Sequence, residues 1–288
     1  PAPRYIREVS NVLVGTHRML LAHTRTGLGR EVGDRTLNDL RTLYQAAVRQ
    51  VDASIGRLRN TVQTTEHADE TAFIIAGDHG EEFQEHGHLA HYPKLYDELI
   101  QIPLLIHLPD SLSIQQRHRV REPVGLDDIP PTIASLFDID SLPPWTGSSL
   151  LSSVIDDSCA ITDPVVSVAV RGETVTTQPI PRRIEDGELL ISVRNHAWTY
   201  IEHVDTEHRE LYYRPADPAQ QTDLSVDPTA LQQQVIDQFA TVAAEHVVTL
   251  RRATTDNGET AADDTDDHSD TTVKNNAVEA QLSALGYK

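Results

Sequence analysis

A dense group of chemically capable side chains lies in residues 77–98, which read GDHGEEFQEHGHLAHYPKLYDE. Asp78 and His79 are adjacent in a turn between Gly77 and Gly80, and glycine permits backbone angles that other residues avoid. A carboxylate oxygen beside an imidazole nitrogen suits a divalent cation that polarises an anionic ester. The pair therefore indicates a metal site, while the plainer interpretation is a surface loop in a chain with 14 histidines.

The elements that must position this turn are predicted from the periodicity of apolar residues. Residues 71–80 have a short β-branched apolar core that ends in glycine and polar residues, which is typical of a buried parallel strand that delivers a loop. A second buried strand is predicted at 102–108. From Asp34 to Leu58, apolar residues recur at three- and four-residue steps, which predicts a helix of about eight turns that Asp34 caps. Residues 126–137 predict a helix with prolines in its first turn.

The pattern changes after Leu150. Strand-like segments at 165–171, 188–194 and 197–203 lie close together with turn residues between them. This spacing predicts a small antiparallel sheet rather than further crossover units. A helix is predicted to follow, from about residue 228 to residue 251.

The charge balance excludes two classes of partner. A net charge of −20 argues against nucleic acid and anionic lipid, because the long-range field repels both. The segment 254–270 supplies part of this charge, has no apolar face and is predicted to be disordered. Arginine carries nearly all the positive charge, since only Lys94, Lys274 and Lys288 are lysines, as in proteins adapted to high internal salt. No apolar stretch is long enough to span a bilayer, so no membrane role is expected.

The order of motifs in residues 74–106 resembles that of sulfatases in the alkaline phosphatase superfamily. The segment reads IIAGDHGEEFQEHGHLAHYPKLYDELIQIPLLI: an apolar strand, an S/G-D-H/N-G turn, E-H-G, a basic residue and a Y-E/D-E turn before a strand. Residues 43–58 resemble the family helix before that strand, and ELYYRPADPAQQTDLS at 210–225 resembles the signature of its carboxy-terminal domain. The resemblance extends over about residues 36–226 and the last ten residues.

This resemblance implies roles for individual residues. Asp78 and His79 would ligate the catalytic divalent cation, with Ca²⁺ preferred over Mg²⁺ or Mn²⁺, although an imidazole ligand also admits Zn²⁺. His91 occupies the register of the family's sulfate-contacting lysine, and a protonated imidazole can also donate a proton to a leaving alkoxide. Lys94 lies one helical turn further on and is the alternative catalytic cation. Of these two, we predict that His91 completes the sulfate pocket.

The remaining polar residues of the stretch are interpreted as structural or solvated. We expect His86 to make a hydrogen bond that stabilises the loop and His88 to be a solvated surface group. Glu81 and Glu82 are expected to be solvated, or at most to orient a metal ligand.

Two features of the sulfatase pattern are absent from the sequence. The first is the CxPSR-like motif whose Cys or Ser becomes formylglycine, and the second is the acidic pair that supplies the other metal ligands. Cys159 is the only cysteine, lacks a following Pro or Arg, and is interpreted as a small buried hydrophobe. The opening PAPRY resembles the residues just after the family's HxPY segment. We therefore expect this chain to be the carboxy-terminal part of the enzyme and to be inactive alone. Formylglycine is expected in a missing amino-terminal half.

These observations together predict an α/β fold. Residues 1–155 would form part of an alkaline phosphatase-like mixed sheet flanked by helices, and 156–252 a small α+β domain with an antiparallel sheet. A disordered acidic linker at 253–276 and a short terminal helix at 277–288 would complete the chain. No signal peptide is visible, but the chain opens at Pro1 without an initiator methionine, so the location is left open with the cytoplasm preferred.

The implied reaction is hydrolysis of the sulfate ester of a small molecule or glycan. One alternative is a phosphoester hydrolase or phosphoglycerol transferase of the same superfamily. The other is a noncatalytic remnant or binding module that keeps the fold. The oligomeric state does not follow from the sequence.

Overall fold

The structure is a computed structural model that describes residues 32–112, 119–140, 145–155, 164–171, 187–206 and 208–260. Its helices are α1 (Asp34–Val62), α2 (Asp97–Ile100), α3 (Ile129–Leu136), α4 (Leu151–Ile155) and α5 (Ala230–Thr260). Its strands are β1 (Phe73–Ala76), β2 (Glu82–Phe83), β3 (Leu89–Ala90), β4 (Leu104–His107), β5 (Val165–Arg171), β6 (Glu188–Arg194), β7 (Trp198–His203) and β8 (His208–Tyr213). The chain divides between Ala243 and Ala244 into two compact units, and the first contains all of these strands.

Helix α1 confirms the predicted long helix and corrects its cap. It contains 29 residues, and its N-cap is Gly33 rather than Asp34, with no side-chain capping hydrogen bond. Asp34 is instead the first helical residue, and an acidic residue in the first turn is favoured by the helix dipole. Leu37 and Leu40 are buried, whereas Leu58 is 60% exposed. The described residues therefore cover only the amino-terminal part of the apolar face.

The strand before the candidate metal turn is antiparallel and partly buried, whereas the sequence predicts a buried parallel strand. β1 pairs with β4 in a register that runs from Phe73 opposite His107 to Ala76 opposite Leu104. β4 begins opposite the end of β1, because the connecting loop stays at one end of the strands and so reverses their direction. Both strands are only partly buried, and Leu105 is 56% exposed. A short apolar run does not by itself distinguish strand direction or degree of burial.

The predicted antiparallel sheet is confirmed, and it contains a fourth strand. Its order is β5-β6-β7-β8, and each neighbouring pair is antiparallel. Strand β8 contains ELYY, the start of the segment 210–225 that the sequence marks only as a family signature. The side chains with no exposed surface in this sheet include Ile191, Val193, Tyr200 and Leu211, so its centre carries a large part of the core.

The sequence predicts two helices after β4: α3 lies within three residues of its predicted bounds, whereas α5 agrees with its predicted start only. Helix α3 has proline in its first turn, as predicted. Helix α5 continues to Thr260, although the sequence predicts an end near residue 251 and disorder from residue 254. Adding residues to an existing helix costs little compared with starting one, so a polar segment can extend α5 without an apolar face of its own. Residues 261–288, with most of the predicted linker and the predicted terminal helix, lie outside the described residues, as does Cys159. Among the described helices, none combines the length and the apolar character needed to cross a membrane.

Candidate metal centre

Asp78 and His79 follow β1 directly and lie on an exposed turn. The side chain of Asp78 is 91% exposed and that of His79 is 46% exposed. Asp78 Oδ1 accepts the His79 backbone N–H at 3.0 Å, and Asp78 Oδ2 lies 3.9 Å from His79 Nε2. The backbone N–H of His79 stabilises the carboxylate and lowers the pKa of Asp78. The ionised carboxylate and the imidazole therefore lie close together on one accessible surface.

His91 and Glu81 lie beside His79. The rings of His79 and His91 have centroids 4.7 Å apart, and His91 Nδ1 donates to Glu81 Oε1 at 3.1 Å. One ligand atom from each of His79, Glu81 and His91 lies within 4.8 Å of the other two. Glu81 therefore belongs to the candidate site, and its expected role of at most orienting a metal ligand stays a prediction.

The proton positions on His79 favour metal binding through one nitrogen. His79 Nδ1 lies 2.8 Å from the carbonyl oxygen of Gly80. A carbonyl can only accept, so Nδ1 carries the proton and Nε2 keeps its lone pair. A hydrogen bond that fixes the tautomer and the ring orientation in this way is the usual support of a metal-ligating histidine.

Gly80 allows the turn to lie against α2. Its backbone N–H donates to Leu99 O at 2.7 Å, and a Cβ on this residue would lie 1.9 Å from Glu98 O. The sequence predicts that the glycines supply unusual backbone angles, but positive φ in this loop occurs at Gly87, Gln84 and Ala90. Gly80 is needed because the two backbones approach too closely for any side chain.

Lys94 is buried and does not reach the exposed turn. Its Nζ lies 3.3 Å from both carboxylate oxygens of Glu82 and donates to His86 O. Glu82 has no exposed surface, and its Oε1 also accepts the backbone N–H groups of His86 and His88 at 2.9 and 2.8 Å. Burial lowers the pKa of Lys94. The interpretation of Glu82 as solvated is wrong, and Lys94 is its buried partner, while the catalytic role of Lys94 stays a prediction.

The two other histidines of the loop have different surroundings. His86 donates to Glu98 through Nδ1 and to Gln220 O through Nε2 at 2.9 Å, which confirms the expected loop-stabilising hydrogen bond. Although burial opposes it, these two acceptors raise the pKa of His86. His88 is half-buried and stacks on Tyr92 with ring centroids 4.5 Å apart, so it is not the solvated group expected. Burial lowers the pKa of His88.

The carboxy-terminal end of the loop contacts the four-stranded sheet and the segment that follows β8. Asp97 Oδ2 accepts from Arg194 at 2.8 Å, and the backbone N–H of Asp97 donates to Gln220 Oε1 at 2.7 Å. Tyr96 OH donates to Glu210 Oε2 at 2.8 Å. The sequence marks both partners as motifs, YDE and ELYY, but no local signal shows that they meet. Only pairing information between distant positions would have predicted this contact.

Comparisons of the sequence with known proteins find sulfatases. A family model described as Sulfatase matches residues 9–139. The chain is 34% identical over 110 residues to the uncharacterized sulfatase YidJ of Escherichia coli, an alignment that covers 38% of this chain and 21% of the relative. It is 27% identical over 192 residues to arylsulfatase K of Gallus gallus, covering 67% of this chain and 33% of the relative.

Solved structures share the fold. The phosphonate monoester hydrolase of Silicibacter pomeroyi has a TM-score of 0.63 at 20% identity, covering 76% of this chain and 43% of that chain. The structure of BT4656 in complex with its substrate D-glucosamine-2-N,6-O-disulfate has a TM-score of 0.57 at 18% identity, covering 74% of this chain and 43% of that chain. The chain thus spans less than half the length of each of these four proteins.

Proposed function

We propose, from the premise that this chain belongs to the sulfatase family of the alkaline phosphatase-like superfamily, that its exposed turn binds the cation of a sulfuric ester hydrolase. The observation that carries the proposal is the grouping of Asp78, His79, Glu81 and His91 on one accessible surface at the end of β1. The substrate class is the sulfate ester of a small molecule or a glycan.

The donor set fits a divalent cation. Asp78 offers an ionised carboxylate whose Oδ1 accepts the His79 backbone N–H, and His79 offers Nε2. A bound cation would neutralise and polarise the sulfate oxygens. We propose Ca²⁺ as the first choice, with Mg²⁺ and Mn²⁺ as alternatives, because carboxylate oxygens favour hard cations. No residue of the described chain is assigned as the nucleophile.

His91 is proposed as the proton donor to the leaving group. Its Nδ1 is held by Glu81, and its side chain is 62% exposed beside His79. An imidazolium held by a carboxylate keeps Nε2–H directed away from that carboxylate and available to an alkoxide. We assign the proton donor to His91 rather than Lys94, because the Nζ of Lys94 is paired with the buried carboxylate of Glu82.

Cation binding by this chain tests the proposal directly. Isothermal titration with Ca²⁺, Mg²⁺ and Mn²⁺ should show one selective site that Asp78→Asn and His79→Ala each weaken by about 10-fold or more. Asp52→Asn, an exposed carboxylate change on α1, is the matched control and should leave the affinity unchanged. Weak binding that is the same in all variants would instead support a noncatalytic remnant.

Turnover by the natural full-length protein tests the role of His91. His91→Ala should lower the turnover of alkyl sulfates by about 10²-fold or more, because a poor leaving group needs a proton. Activated aryl sulfates should be affected much less, and His67→Ala, which changes an exposed histidine elsewhere, should affect neither. Equal losses on both substrates would contradict a proton-donor role.

Phosphoester or phosphonate ester hydrolysis is the second candidate. The phosphonate monoester hydrolase of Silicibacter pomeroyi shares the fold with a TM-score of 0.63, and the fold does not choose between sulfate and phosphorus esters. Comparing kcat/KM for 4-nitrophenyl sulfate and the phenylphosphonate ester of 4-nitrophenol decides between them.

A further inference from the structure

Two histidines and a glutamate converge on the β7–β8 hairpin. His203 and His208 are directly opposite each other in the register of the two strands. Glu210 lies two residues after His208 on the same strand, so its side chain projects from the same face. The hairpin thus gathers two imidazoles and one carboxylate within a single pair of strands.

The distances between the ligand atoms suit a single small cation. Glu210 Oε1 lies 3.5 Å from His203 Nε2 and 3.6 Å from His208 Nε2. One ligand atom from each of the three residues lies within 4.8 Å of the other two. A tetrahedral zinc ion holds nitrogen and oxygen ligands at about 2.0–2.2 Å, which puts neighbouring ligand atoms roughly 3.3–3.5 Å apart. The three atoms therefore need only small movements to share one ion.

The inner ligands have their other polar atoms occupied. His203 Nδ1 lies 2.8 Å from Glu188 Oε1, and Arg171 also contacts Glu188. Arg171 Nη2 lies 3.4 Å from the same nitrogen, but the shorter contact with Glu188 favours a proton on Nδ1 and a lone pair on Nε2. Glu210 Oε2 accepts from Tyr96 and Tyr212, which leaves Oε1 facing the histidines.

Access and burial are arranged as a metal site requires. The side chains of His203 and Glu210 are 12% and 9% exposed, whereas that of His208 is 58% exposed. A cation can therefore enter from the His208 side and be held by ligands whose orientation is fixed below. Two imidazoles with one carboxylate favour Zn²⁺ over Ca²⁺ or Mg²⁺, which take mainly oxygen ligands.

We propose that His203, His208 and Glu210 form a Zn²⁺ site, with Glu188, Tyr96 and Tyr212 holding the ligands in place. The fourth position is left to water on the His208 side. Since Tyr96 belongs to the loop that carries the candidate metal centre and Glu210 to the sheet, an ion here stiffens the contact between the two. A structural alternative exists without metal: a protonated His203 that bridges Glu188 and Glu210.

Zinc binding to the full chain separates these explanations. The probe is Zn²⁺ in competition with a chromophoric chelator, with Co²⁺ absorption as a report on tetrahedral coordination. His208→Ala changes an exposed side chain and should remove one bound Zn²⁺ or weaken it by about 10-fold or more, with loss of the Co²⁺ band. His196→Ala, an exposed histidine in the turn before β7, should change neither.

A second pair of variants keeps the two candidate centres distinguishable. Asp78→Asn with His79→Ala removes ligands of the exposed turn and should leave the Zn²⁺ lost in His208→Ala fully bound. Zinc should also raise the Tm of the unmodified chain but not that of His208→Ala, because a ligand stabilises only the state that binds it. Unchanged stoichiometry and affinity in His208→Ala, or loss of this Zn²⁺ in the Asp78→Asn, His79→Ala variant, would overturn the proposal.

Discussion

Two parts of the loop contain similar residue types in opposite surroundings. We call them the exposed turn, with Asp78, His79, Glu81 and His91, and the loop base, with Glu82, His86, His88 and Lys94. In the exposed turn, Glu81 and His91 lie at the surface beside His79 with accessible ligand atoms. In the loop base, Glu82 and Lys94 are buried and neutralise each other. Glu81, the residue before β2, and Glu82, the first residue of β2, thus have different surroundings and serve different purposes.

This comparison separates stability from chemistry within one stretch of chain. Substitutions in the loop base should unfold or loosen the protein, and substitutions in the exposed turn should change ligand affinity with little effect on folding.

Gly80 joins the two regions, and its replacement should have the largest effect. A Cβ in Gly80→Ala would lie 1.9 Å from Glu98 O, a backbone atom that cannot rotate away. We expect a loss of about 3 kcal/mol or more in the free energy of unfolding, with cation binding lost as well. Urea denaturation measures the first and calorimetric titration the second.

Gly56→Ala provides the matched control. Gly56 lies within α1, and a Cβ there would meet no atom within 4 Å. Because glycine inside a helix is unfavourable, this change should stabilise the protein by about 0.5–1 kcal/mol. Similar free energies for the two variants would show that the turn does not press against α2.

Adjacent glutamates should respond in opposite ways. Glu82→Gln leaves Lys94 buried without a charge partner and should cost about 3–5 kcal/mol of unfolding free energy. Glu81→Gln changes a partly exposed side chain that has no buried charge partner, and it should alter stability by less than about 1 kcal/mol while weakening cation binding.

A double variant shows that the cost arises from the unpaired charge. Glu82→Gln with Lys94→Met removes both buried charges and should recover a large part of the stability lost in Glu82→Gln. No recovery would mean that the hydrogen bonds from His86 and His88 to Glu82, rather than the ion pair, carry the effect.

The sequence predicts where helices and strands lie better than it predicts the direction of a strand or which side chains are buried. It predicts α1 and strands β5–β7 because a repeated apolar spacing reports which faces are buried. It also predicts a metal turn at Asp78 and His79, because polar residues follow an apolar strand at once. It does not separate Glu81 from Glu82, since only Glu82 belongs to β2, and the pairing of β2 with β3 and the contact with Lys94 are not local features of the sequence.

The contact between loop and sheet is also beyond the sequence. His86 and Gln220 are 134 positions apart, and nothing near either residue indicates the other. The direction of β1 likewise depends on where the chain returns after 27 intervening residues, from Gly77 to Pro103, and not on the composition of the strand.

The smallest predicted effect is a pair of opposite pH dependences within the loop. The hydrogen bonds to Glu98 and Gln220 raise the pKa of His86 above 6.5, so the folded protein favours its charged form. Its contribution to stability is present in full below pH 6.5 and is lost as the pH rises through the folded pKa. Burial lowers the pKa of His88 below 6.5, so its contribution is present above that pH and is lost as the pH falls through the folded pKa.

Unfolding free energies between pH 5 and pH 8.5 measure both signs with the same method. The stability advantage of the unmodified chain over His86→Gln should shrink as the pH rises, whereas its advantage over His88→Gln should grow. His67→Gln, which changes an exposed histidine outside the loop, should give a nearly flat difference. The same slope for both loop variants would mean that His86 is not charged between Glu98 and Gln220. The loop base would then be held by stacking on Tyr96 rather than by charge.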